Sequence, residues 1–106
     1  MDGQPHYREF VEQPEYAAQM DAIVAKYSVE IIDRVLRGVF WGLATNPVAY
    51  ERLWGPFRIA KTRSLGLELP MFRIFFQIEN EGTSNERILL CWVDEIDDFG
   101  DTVELR

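Results

Sequence analysis

The chain predicts an α+β domain of two layers, an N-terminal strand and a helical hairpin packed on a mainly antiparallel sheet in the order β-α-α-β-β-β. Three observations carry that prediction. Apolar residues recur at helical spacing from Tyr16 to Leu43, the period falls to two beyond Pro47, and the connections between the later apolar runs are short. With 106 residues, 47% of them hydrophobic, the chain can bury a core without metals or disulfides, and one domain over residues 1–106 is expected, with ends at 1–6 and 97–106 that fray.

Tyr7-Arg8-Glu9-Phe10-Val11-Glu12 alternates weakly and predicts a short first strand. Pro14 suits the first turn of a helix, where its missing N–H is not needed, and Tyr16, Met20, Ile23, Val24 and Tyr27 form one stripe. Ser28 is a good N-cap for a second helix, with Glu30 in the first turn facing the positive end of the dipole. Ile32, Val35, Leu36, Val39, Phe40 and Leu43 give that helix a wide apolar face, and Asn46-Pro47 stops it.

Val48 to Trp54 reads as one or two further helical turns closed by Gly55-Pro56. Phe57 to Arg63 alternates, with Arg58, Ala60 and Thr62 on one side and Phe57, Ile59, Lys61 and Arg63 on the other. Ser64 to Pro70 is a loop. Met71 to Glu79 predicts a strand with Phe72, Ile74, Phe76 and Ile78 on one face and Arg73, Phe75 and Gln77 on the other. Residues 81–85 form a turn, and Arg87 to Ile96, almost wholly apolar through Val93, reads as a central strand covered on both faces.

Charge and composition remove several function classes. The single cysteine, Cys91, excludes an internal disulfide and fits a reducing compartment; the terminus has no basic or apolar leader signature, and no stretch suits a membrane span, so a cytoplasmic location is expected. Metal ligation is poorly supplied, with His6 and Cys91 alone, and a carboxylate site among Asp94, Glu95, Asp97 and Asp98 is outweighed by an ordinary solvated acidic run. No cofactor is implied. Cys91 between Leu90 and Trp92 reads as an inert core thiol, and no internal histidine can activate a nucleophile.

The net charge of -7 is unevenly spread. Residues 1–33 carry -5, residues 34–78 carry +5, and residues 79–106 carry -7. Within the basic middle, Arg58, Lys61, Arg63 and Arg73 lie on two strands expected to be neighbours, where guanidinium groups on rigid backbone can clamp a phosphodiester. The competing reading is an exposed sheet face whose arginines pair with nearby acids.

These features together resemble the RelE/ParE-like toxins of bacterial toxin–antitoxin pairs. Phe72-Arg73-Ile74-Phe75-Phe76-Gln77-Ile78-Glu79 is similar to that family's strand of aromatic, arginine and apolar residues running into an acidic turn. Arg58 to Arg63 is similar to its basic strand, Asn46-Pro47 with Arg52-Leu53 and Gly55 to its connection out of the second helix, and Glu12 to Tyr16 to its passage into the first helix. The resemblance implies a toxin held by a cognate antitoxin protein. In the branch similar to RelE it implies metal-independent cutting of messenger RNA at the ribosome, with Arg73, Lys61 and Arg63 as catalytic residues and Arg58 as an RNA-binding one; in the branch similar to ParE it implies a protein target, DNA gyrase.

The C-terminal stretch departs from the RNA-cutting pattern. Where those enzymes carry bases and a tyrosine, Asp94 to Asp101 is acidic, and residues 88–105 contain no Arg, Lys, His or Tyr. A second expectation therefore stands beside the first: a non-catalytic module that keeps the fold and binds antitoxin, gyrase or another protein. That module would bind a protein or basic ligand through its acidic end, whereas for the toxin-family reading Phe75, Trp92 and Trp54 are the candidate anchors for a partner's helix or strand, although Trp92 is expected in the core.

Overall fold

A computed structural model describes residues 7–62 and 69–96 of the 106. The expected fraying at 1–6 and 97–106 lies outside the described residues, as do His6, Arg63 and the loop to Glu68.

The elements are β1 (Glu9–Glu12), α1 (Pro14–Tyr27), α2 (Val29–Thr45), a 3-10 turn (Pro47–Ala49), β2 (Glu51–Trp54), β3 (Phe57–Lys61), β4 (Met71–Glu79) and β5 (Arg87–Ile96). The strands form one five-stranded sheet in the order β1-β5-β4-β3-β2, with β1 parallel to β5 and every other pair antiparallel. Passing from β1 through the helical hairpin before reaching β5 makes that one parallel pairing feasible, because a parallel neighbour needs a long crossover. The fold is α+β, in two layers, as the periodicities predict.

A single residue, Ser28, separates the helices. It sits at φ 116, its N–H donates to Val24 O at 2.9 Å, and its Oγ accepts the N–H of Ile31 at 3.4 Å, so it closes one helix and opens the next. From α2, Ile32, Val35, Leu36, Val39 and Leu43 pack against Phe72, Ile74 and Phe76 of β4 and Ile88, Leu90 and Val93 of β5. Tyr16 adds the most buried side chain of α1. None of the described helices is long and apolar enough to cross a membrane.

One arginine ties the end of this layer to the sheet. Arg8 donates through Nη1 to Thr45 O at 2.7 Å at the α2 C-terminus and through Nε to Glu86 at 2.8 Å, while Glu86 also accepts the N–H of Gly82 at 2.7 Å. Cations suit the negative end of a helix, and here the pairing also anchors the β4–β5 turn.

Two expectations are corrected. Only Pro47–Ala49 keeps a helical turn; Glu51–Trp54 is instead an edge strand, folded onto β3 through a turn with Gly55 at φ 55. Pairing with β3 satisfies backbone groups that an isolated turn would leave to water, and so decides a segment whose local pattern is ambiguous. β5 is central in the sheet, between β1 and β4, but helices cover only one of its faces. Its other face carries Trp92, 40% exposed rather than in the core.

Candidate functional site

Trp92 reaches the outer face through a bulge. Ile88 and Leu90 point to the helices, and strict alternation would send Trp92 the same way. The register slips, however: Phe75 opposes Trp92 while Phe76 opposes Leu90, leaving Cys91 as an extra residue. One inserted residue exchanges the two faces of everything that follows, so Trp92 turns outward and Val93 takes the buried position. Past the bulge, the Val93 N–H donates to Gln19 Oε1 of α1 at 2.9 Å.

The outer face thus carries an aromatic groove. Trp54, Phe57, Phe75, Cys91 and Trp92, with Gln13, Pro14 and Glu15 at the entry to α1, line about 620 Å³ running across the strands. Trp54 and Phe57 meet edge to face with centroids 4.6 Å apart. Trp54 is 62% exposed, while Phe57, Phe75 and Cys91 are half-buried. Burial pushes the Cys91 thiol up from its ordinary value, partly offset by a hydrogen bond with Gln77, so it is not an activated nucleophile.

Beside the groove runs a charged row, Lys61 of β3, Arg73 of β4 and Asp94 of β5, directly opposed in register. Arg73 meets Asp94 in a two-pronged contact, Nε to Oδ1 at 3.1 Å and Nη2 to Oδ2 at 2.8 Å. Its guanidinium carbon also lies 5.4 Å from the Phe75 ring centroid. Lys61 is exposed at the side of Arg73. The structure therefore brings Lys61 and Arg73 together, and sets an acid against Arg73 on the side away from Lys61.

Arg58 is elsewhere. It points to the helix side, is 9% exposed, and donates to Tyr50 O at 2.9 Å and Val48 O at 3.4 Å, with Glu81 at 3.5 Å. These contacts satisfy one carbonyl within the 3-10 turn and one just after it, and they hold the side chain on the opposite face from Lys61 and Arg73. Arg63 lies outside the described residues.

Comparison with known proteins finds no match of significance: no family model, no curated protein and no solved structure. Geometry and chemistry must therefore carry the functional argument.

The two described acids of the acidic run, Asp94 and Glu95, turn to opposite faces, and Asp97 and Asp98 lie outside the described residues. Asp94 turns to Arg73 on the outer face, whereas Glu95 turns to α1, accepting from Lys26 Nζ at 3.1 Å and from the Tyr27 hydroxyl. Among the described residues, no three His, Cys, Asp or Glu side chains gather to hold a metal ion. Sequence reasoning picked out Phe75, Trp92 and Trp54 but not Phe57 or the α1 entry. Alternation does place Phe57 on the face of Lys61, without marking it as an anchor; nothing local shows that the α1 entry closes one end of the groove.

Proposed function

We propose that the chain is a RelE/ParE-like toxin-family protein that acts by binding a protein through the outer face of its sheet, in the cytoplasm, and is held there by a cognate antitoxin. One observation carries the reading: Trp54, Phe57, Phe75 and Trp92 share a groove on the face that helices leave uncovered. Large aromatic side chains held on strands lose little conformational freedom on binding, and they dominate interface energetics. The N-terminal strand and helical hairpin followed by antiparallel strands, in the order β-α-α-β-β-β-β, are compatible with the family resemblance, and the Arg73–Asp94 pairing favours the protein-binding branch over RNA cutting, since a carboxylate in contact with the guanidinium competes with a phosphate.

The test is expression of the chain alone in bacteria. Growth arrest is expected, relieved by Trp92→Ala or Phe75→Ala and by co-expression of the antitoxin, with messenger RNA intact. The RNA-cutting reading rests on the adjacency of Lys61 and Arg73. Under that reading, arrest is accompanied by ribosome-dependent cleavage and relieved by Arg73→Ala, and that result would displace the proposal.

A further inference from the structure

We infer that a second copy of the chain occupies the outer face, sheet stacked on sheet about a two-fold axis, so that each β4 runs antiparallel over the β4 of its copy. The inference shares one premise with the reading above, that this face binds protein, and adds the occupant. Register sets the face out in rows across the strands. Lys61, Arg73 and Asp94 make the first row, and Ile59, Phe75 and Trp92 the second. Gln77, Leu89 and Val11 make the third row, and Glu79, Arg87 and Glu9 the fourth. The outer rows are charged, and the inner rows are uncharged on these strands.

The signs select a copy of the chain. Arg73 of β4 pairs with Asp94 of β5, and at the other end of the same two strands Glu79 of β4 pairs with Arg87 of β5, so each strand carries opposite signs at its two ends. The first row sums to +1 and the fourth to -1. Turning the sheet over about an axis between the second and third rows lays Arg73 over the copy's Glu79 and Asp94 over the copy's Arg87, and symmetry repeats both contacts. Phe75 and Trp92 then face the copy's Gln77 and Leu89, and Leu89 enters the aromatic groove. Lys61 reaches over the copy's β2–β3 turn. Glu15 at the α1 end of the groove and Glu51 at the other fall on uncharged positions, Val11 and Trp54. An axis along the strands would instead set Arg73 on Arg73 and Glu79 on Glu79. From Arg73 to Glu79 at about 3.3 Å per residue, and across five strands about 4.8 Å apart, the patch measures roughly 20 by 19 Å. That is the low end for a specific pair, so a dissociation constant on the order of 10 μM is expected.

The experiment is sedimentation equilibrium of the full chain over concentrations from well below to well above that constant. The apparent mass is expected to rise from that of one chain toward that of two. Arg73→Glu sets an acid over the copy's Glu79, and Glu79→Arg sets a base over the copy's Arg73, so each variant alone should associate about thirtyfold more weakly or not at all. Mixed in equal amounts, the two variants should form a heterodimer at least as tight as the wild-type pair, because opposite signs meet again at every contact. A variant that had failed to fold could not do this. Trp92→Ala should weaken the wild-type pair by about thirtyfold, the scale of an interface hot spot.

The mass of one chain at every concentration, a dimer that neither charge variant weakens, variants that stay monomeric when mixed, or Arg73→Glu pairing more tightly with wild type than with Glu79→Arg would each overturn the inference. A single-chain mass together with relief of growth arrest by Trp92→Ala would overturn it while leaving the protein-binding reading in place. Dimerisation that follows the charge exchange, with growth arrest untouched by Trp92→Ala, would support the inference and remove the toxin reading of this face.

Discussion

Phe75 and Phe76 are chemically identical neighbours on β4 that serve opposite faces of the sheet, and replacing each by alanine separates folding from binding. Phe76 is 0% exposed and packs edge-on against Tyr50 with centroids 5.9 Å apart. Truncation there removes the transfer free energy of the ring and leaves a dry cavity, about 4 kcal/mol in all, a large part of the roughly 5–15 kcal/mol that holds a domain folded. Phe75 is half-buried and borders an open groove, so water fills the space its ring leaves and no cavity cost arises. Its loss amounts to part of a transfer term, about 1–2 kcal/mol, including the contact with Arg73. The difference of roughly 2–3 kcal/mol corresponds to about 10 °C in Tm for a domain of this size. Thermal melts and urea titrations of the two variants measure it, and partner binding by Phe75→Ala is expected to fail in a folded protein. Equal losses of Tm would show that both faces of β4 are core, and would remove the basis for a binding face.

Three further outcomes follow from particular contacts. A Cβ on Gly42 would stand 2.1 Å from the Tyr50 hydroxyl, so Gly42→Ala is expected to destabilise by about 1–2 kcal/mol despite its better helix propensity; Tyr50→Phe in the same chain should recover much of that in a double-mutant cycle. Arg58→Met keeps the alkyl stem but strands the carbonyls of Val48 and Tyr50, which should cost about 2–3 kcal/mol in urea titration while leaving partner affinity unchanged in the folded fraction. Burial raises the Tyr16 hydroxyl above its ordinary value, so the folded state holds a proton that the unfolded chain releases first: stability is full below about pH 10 and falls as pH rises beyond it, by up to about 1.4 kcal/mol per pH unit for this group. Tyr16→Phe should flatten that part of the alkaline slope in urea midpoints taken from pH 8 to 11.

What the sequence by itself determines here is periodic. The stripe from Ile32 to Leu43, the cap at Ser28, the stop at Asn46-Pro47 and the alternation from Phe72 to Ile78 each depend on residues within a few positions of one another, and each forms as read. Even the faces of Lys61, Arg73 and Arg58 follow from counting by twos. Other features depend on pairing between distant segments, which no local pattern encodes. β2 exists because β3 is beside it, and the inserted residue at Cys91 is visible only against β4. That insertion moves Trp92 from the expected core to the outer face, where it meets Phe75 and, across the sheet, Trp54. Charge shows the same division. Composition located a basic middle between acidic flanks, but only the tertiary structure set Asp94 against Arg73 and engaged Arg58 on backbone carbonyls, because an ion pair between residues 21 positions apart is made by the register of two strands and not by either strand alone.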